Sequence, residues 1–200
     1  MTTPIEFWFD FSSPYSYLAM DKVEEVAQGA GREVVWRPFL LGAVFKETGN
    51  RPLTQQPIKG DYARHDCPRV ARYLDMPWTW PDPFPIATMA AARAYYWIER
   101  EDPDTARKFA RLAFNTYFGK GIDITPAEVV VNIAAGCNVD PAALEPALSD
   151  PAVKQALKDR TAEAVERGVC GAPFFFVDGE PFWGSDRLWM VKKWLRTGGW

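Results

Sequence analysis

Segments with the two-residue period of a strand occur only near the two ends of this 200-residue chain, so any sheet must join pieces far apart in sequence. Residues 5–11 alternate and are rich in aromatic side chains, which suits a buried strand. Ser13 then offers an N-cap, and Pro14 fits the first helical position, where a missing N–H does no harm. Tyr15, Leu18, Ala19, Val23, Val26 and Ala27 continue at helical spacing until Gly29 and Gly31 end the pattern. Residues 33–38 read as a second strand. The opening is therefore β-α-β, a parallel pair joined by a helix that covers it.

Residues 40–57 read as a loop, with Thr48-Gly49-Asn50-Arg51-Pro52 as the turn signal. Helical patterns follow over 62–74, 86–100, 104–118, 126–135 and 141–148, with a proline-studded loop at 76–85, and Asp150-Pro151 opens another helix to about 167. Strand period returns only at 173–178; Gly179 turns the chain, 181–183 run back, and Ser185 is expected to cap a last helix to about 196. The ββα ending complements the βαβ opening. Residues 1–59 and 161–200 are thus expected to form one α/β unit, split by a helical insertion over 60–160.

Three short stretches carry chemistry. Residues 9–19 read FDFSSPYSYLA, and Ser13-Pro14-Tyr15-Ser16 stands at the strand-to-helix junction. A thioredoxin-type disulfide oxidoreductase would carry Cys-Pro-x-Cys there; both sulfurs are absent. In residues 168–179, GVCGAPFFFVDG, Pro173 begins a strand, a position that tolerates its missing N–H and can hold a cis peptide. Facing the first helix, this loop would leave the N–H and C=O of Ala172 to pair with an extended peptide. In residues 182–188, FWGSDRL, Ser185 and Asp186 stand where a helix start favours an anion, while Asp186 can receive an ammonium group. A ligand with both an α-amino and an α-carboxylate group suits that place.

Composition narrows the partners. A net charge of −3, with both signs mixed along the chain, gives no footprint for nucleic acid. No stretch approaches the roughly 18 apolar residues of a membrane span, and the chain reads as cytoplasmic, with no membrane partner. Three widely spaced cysteines, Cys67, Cys137 and Cys170, suit neither a disulfide scaffold nor a C-x-x-C metal site, so no metal is expected. The one histidine, His65, lies in a charged helical stretch and reads as a surface or packing residue. Without a G-x-S-x-G elbow, and with His65 the lone candidate base, Ser13 is a poor hydrolase nucleophile.

Taken in order and at these separations, FDFSSPYSYLA, Gly49-Asn50-Arg51-Pro52 with Lys59-Gly60, the Gly-Ala-Pro loop and Trp-Gly-Ser-Asp-Arg-Leu resemble one family across nearly the whole chain. It is the glutathione-dependent family of 2-hydroxychromene-2-carboxylate isomerases and kappa-class glutathione transferases. The resemblance implies a thioredoxin-like fold with a large all-helical insertion, glutathione as cofactor, a small aromatic substrate and a homodimer. It implies that Ser13 is catalytic, its hydroxyl holding the glutathione sulfur. Ala172, before a cis Pro173, would pair with the cysteinyl backbone, and Ser185 and Asp186 with the γ-glutamyl end. Asn50, Pro57 and Lys59 would lie near the other end of the tripeptide.

The missing thiol then has a physical reason, since the reactive sulfur arrives on glutathione. Lowering its pKa from near 8.5 to about 6.5 takes roughly 2.7 kcal/mol, within reach of a charge-assisted hydrogen bond and a helix N-terminus together. Isomerase and kappa-like transferase share these motifs. Two other readings stay open: a non-catalytic glutathione or peptide binder, and a redox protein acting through Cys170. On its motif alone Ser13 reads equally as an N-cap and no more, and Cys170 as either a small buried hydrophobe or a partner for a mixed disulfide. Trp78, Trp80, Phe84, Tyr95, Tyr96 and Trp97 are expected in the core, part of them walling an electrophile pocket. Lys46, Arg51 or Arg64 would take a substrate carboxylate; Arg69 is left without a role.

Overall fold

The computed structural model describes residues 3–200. Strand β1 (Ile5–Phe9) pairs in parallel with β2 (Val34–Pro38) across helix α1 (Pro14–Gln28). On its other side β1 pairs antiparallel with β3 (Phe174–Val177), which pairs antiparallel with β4 (Glu180–Trp183), giving the order β2-β1-β3-β4. Being central, β1 and β3 are covered on both faces, and their near-continuous aromatic runs follow from that. Phe7, Phe9, Phe175 and Val177 enter one core layer, while Trp8, Phe174 and Phe176 enter a second with Phe39, Val44 and Ala164.

Residues 40–57, expected as loop, instead hold helix α2 (Leu41–Thr48) and a 3-10 turn (Leu53–Gln55). The cause is not local. Leu40 cannot cap with its side chain, and the Leu41 N–H is held by the Asp10 carboxylate, 31 positions earlier, at 2.7 Å. Gly49, at φ 72, ends α2 in a conformation that other residues resist.

Helix α3 (Lys59–Tyr73) begins three residues before its expected start, and α4 (Met89–Glu99), α5 (Pro103–Phe114), α6 (Ala127–Ala135), α7 (Pro141–Ala147) and α8 (Pro151–Glu166) follow. Asp102, Asp140 and Asp150 each cap a helix through the side chain with proline next in line, whereas the fourth Asp-Pro pair, Asp82-Pro83, lies in a loop with a cis peptide. The stretch expected to continue α5 to 118 turns into a π-helical segment, Asn115–Gly119.

Helical and sheet parts share one hydrophobic core, in which Phe114 meets Phe9 and Phe11 at 5.4 and 5.1 Å. Tyrosine hydroxyls tie the parts further: Tyr17 donates to Pro77 O at 2.6 Å, Tyr95 to Trp36 O at 3.2 Å and Tyr96 to Pro38 O at 2.5 Å. The last helix, α9 (Leu188–Thr197), starts later than expected, after a 3-10 turn at Ser185–Arg187. Gly184, at φ 106, precedes that turn, and Arg187, not Ser185, stands at the N-cap of α9. Among the described residues no helix is long and apolar enough to cross a membrane.

Candidate active site

Strand β1 runs into a turn closed by the Ser13 N–H to Asp10 O bond at 2.9 Å, and the chain enters α1 directly. Ser13, at φ −92 and ψ 112, is the N-cap, its hydroxyl oxygen accepting the Ser16 N–H at 3.2 Å. The same hydroxyl donates to Ala172 O at 3.0 Å. No acidic residue stands in the first turn of α1 itself. The Ala172–Pro173 peptide is cis, and Pro173 O accepts the Gly184 N–H at 3.0 Å, linking this loop to the start of the last helical segment.

Ser13 lies in a cleft of about 1230 Å³ between the α/β unit and α3. Ser13, Asn50, Lys59, Ala172, Pro173, Ser185 and Asp186 all line it; Pro57 does not. Ala172 departs from expectation in one respect, because its carbonyl already accepts the Ser13 hydroxyl. Gly184 is required where it stands by its φ of 106, which other residues resist. Asp186 itself is exposed and forms an ion pair with Arg187.

Lys22, Arg51, Lys59 and Arg187 line the cleft, whereas Lys46 and Arg64 do not. Arg64 lies over the Trp80 ring, 5.5 Å from its centroid. Lys22 pairs with Glu25 at 2.6 Å. Of the aromatic residues considered for an electrophile pocket, Phe84 reaches the cleft, and Trp78, Trp80, Tyr95, Tyr96 and Trp97 do not. Trp78 stacks on Phe118 at 5.6 Å and is core. His65 is exposed and lies outside the cleft lining. Cys170 lines the cleft, but burial pushes its thiol up, and burial pushes Cys67 up to about 12. Neither thiol is poised as a nucleophile near neutral pH.

Two features escape a reading of the sequence. Asp10, 5% exposed, accepts the Ser12 N–H at 2.7 Å, the Leu41 N–H at 2.7 Å and the Thr88 hydroxyl at 2.9 Å. Burial pushes its carboxyl above the usual range, although these three donors pull the other way. An acid closing an aromatic strand was the available signal. The second feature is Tyr15, whose hydroxyl donates to Asp66 Oδ2 at 3.1 Å, while Asp66 also pairs with Arg69 and accepts from Tyr62 at 3.3 Å. Burial, with the charge of Asp66 opposing a second, raises the Tyr15 pKa and keeps it a donor.

Comparison with known proteins agrees with this geometry. A family model described as a DSBA-like thioredoxin domain matches residues 4–196. The 2-hydroxychromene-2-carboxylate isomerase of Sphingobium xenophagum is 31% identical over 98% of this chain and 99% of its own length. Glutathione S-transferase kappa 1 of Caenorhabditis elegans is 28% identical over 96% and 90%. A solved 2-hydroxychromene-2-carboxylate isomerase superposes with a TM-score of 0.86 at 28% identity, covering 96% of this chain and 93% of that one. With strand order, cis-proline loop and helix-capping serine in place, the chain belongs to the DSBA-like thioredoxin-domain family, beside its 2-hydroxychromene-2-carboxylate isomerases and kappa-class glutathione transferases.

Proposed function

We propose that this cleft binds glutathione, holds its thiol as thiolate at the start of α1, and makes the chain a glutathione-dependent isomerase of an aromatic enone acid such as 2-hydroxychromene-2-carboxylate. Ser13 carries this reading: its hydroxyl caps a 15-residue helix against the cis-Pro173 loop, where disulfide oxidoreductases of this fold hold a cysteine. The residues present fit a tripeptide. The cleft exceeds the roughly 300–1,000 Å³ usual for one small ligand, leaving space for an aromatic second one. Lys59 suits a carboxylate, Asp186 suits the γ-glutamyl ammonium, and the Ala172 backbone suits an extended cysteinyl unit. Asn50 and Ser185 add polar contacts along the same path.

Bound glutathione supplies a nucleophilic sulfur that adds to the conjugated substrate and later leaves it. Ser13 acts by electrostatics, turning its proton from Ala172 O to the sulfur. The gain is therefore a difference: a charge-assisted bond of roughly 1.5–3 kcal/mol replaces a neutral one of roughly 0.5–1.5 kcal/mol. About 1–1.5 kcal/mol remains, and the start of α1 adds roughly 0.3–2 kcal/mol. Together they lower the thiol pKa by about one to two and a half units. Of the three cations weighed for the substrate carboxylate, Arg51 alone lines the cleft, which supports it over Lys46 and Arg64. A cytoplasmic homodimer belongs to the same reading, on the strength of the resemblance.

The identities above support isomerase slightly over transferase, and product analysis decides. With 2-hydroxychromene-2-carboxylate and a trace of glutathione, an isomerase completes many turnovers and returns all free thiol. A transferase loses one thiol for each product formed. Turnover of neither kind, with no glutathione bound, refutes both.

A further inference from the structure

Asp10 has no part in the chemistry just described, yet no other acid at the cleft is so completely enclosed. Its carboxyl group is 5% exposed, and no cation pairs with it among the described residues. Burying such a group without a counter-charge is costly. Three donors hold it, and they come from three parts of the cleft.

Oδ1 accepts the N–H of Ser12, inside the turn that delivers Ser13. Oδ2 accepts the N–H of Leu41, which opens α2, the helix that leads through Gly49 to Asn50 and Arg51. The third donor, the Thr88 hydroxyl, precedes α4 and follows the cleft-lining residues Phe84 and Ile86. Ser12 strengthens this link, its hydroxyl oxygen accepting the Ile86 N–H at 3.2 Å. One carboxyl group thus joins the floor of the cleft to two of its walls.

We infer that Asp10 is the positioning residue of this site, its two oxygens fixing the Ser12-Ser13 turn, the start of α2 and residues 86–88 in one register. The consequence for a bound thiol rests on the glutathione reading; the register itself does not. Asparagine cannot substitute. Each oxygen accepts a backbone N–H, so an amide NH₂, whichever way it is turned, displaces one of those two bonds.

The test compares Asp10→Asn with wild type in four ways: amide hydrogen exchange at Ser12 and Leu41 without ligand, the titration midpoint of the bound glutathione thiol, kcat against KM, and melting temperature. Exchange at Ser12 or Leu41 should accelerate about tenfold or more beyond any global loss of stability. The thiol midpoint should move toward that of free glutathione, and kcat should fall about tenfold to a hundredfold with KM for the aromatic acid nearly unchanged. A lower melting temperature with unchanged midpoint and unchanged kcat per folded molecule overturns the inference, as does unchanged exchange at both amides. Should Asp10→Asn not fold, Thr88→Val removes one donor and leaves both backbone bonds. It should then shift midpoint and kcat in the same direction by a smaller factor, and no shift overturns the inference. If wild type fails to bind glutathione, the functional reading falls, and the exchange comparison alone decides whether Asp10 sets the register.

Discussion

Replacing Ser13 with alanine removes one oxygen and two hydrogen bonds, to Ser16 N at 3.2 Å and Ala172 O at 3.0 Å. Loss of the cap costs about 0.5–2 kcal/mol of folding stability. At about 2–4 °C per kcal/mol for a chain of this size, the melting temperature falls by several degrees and the protein stays folded at 25 °C. Ala172 lines the cleft, where water can replace the hydroxyl on its carbonyl. In the glutathione complex, the thiolate loses a net 1–1.5 kcal/mol or about one pKa unit. For a bound thiol at about 6.5 moved to about 7.5, the thiolate share at pH 7 drops from about three quarters to about one quarter. The turnover of Ser13→Ala should thus fall about threefold at pH 7 from ionisation alone, and most of that loss should vanish at pH 9. Thiolate ultraviolet absorbance, followed against pH for both complexes, reads the midpoint directly. A midpoint and a rate unchanged by Ser13→Ala would show the serine to be a helix cap and nothing more.

Cys170→Ala should leave turnover within about twofold of wild type, because a thiol pushed up by burial is not a nucleophile near neutral pH; loss of activity in steady-state assays would favour a redox function. Gly60 is buried, and a side chain there would meet the Thr54 carbonyl oxygen at 2.8 Å. Gly60→Ala should therefore cost about 1–3 kcal/mol by urea titration, and weaken glutathione binding by shifting the segment beside Lys59. Arg167 donates to Glu6 at 2.6 and 2.9 Å and lies 4.1 Å from the Phe176 centroid, so Arg167→Met should cost about 1–2 kcal/mol at pH 7. Burial alone would raise Glu6, but Arg167 outweighs it and holds the carboxyl below its usual 4.5. That stability is present above pH 4.5 and is lost as pH falls below it, so acid unfolding should be shallower in the variant than in wild type.

Much of this architecture was legible because its signals are local. Three of the four Asp-Pro pairs mark helix starts, and the all-aromatic centre of β3 is the mark of a strand covered on both faces. Ser13-Pro14 announces α1, and seven of the eight residues expected at the ligand do line one cleft. What escaped depends on partners distant in sequence. Helix α2 has no cap of its own, because its cap is Asp10. Ser185 looked like the cap of the last helix, but a 3-10 turn behind Gly184, free to adopt φ 106, delays the helix and leaves Arg187 at its N-cap. Trp78 and Trp80 could not be assigned to core or cleft without Phe118 and Arg64, which hold them in position. The Ser13 to Ala172 bond is equally non-local, and it removes about a third to a half of the advantage the serine brings to a thiolate.

The most direct test is a titration of glutathione, labelled with carbon-13 at its cysteinyl β-carbon, in complex with the wild-type protein and followed by NMR. The account predicts a midpoint about one to two and a half units below that of the free tripeptide. A bound thiol that titrates where the free one does would contradict it.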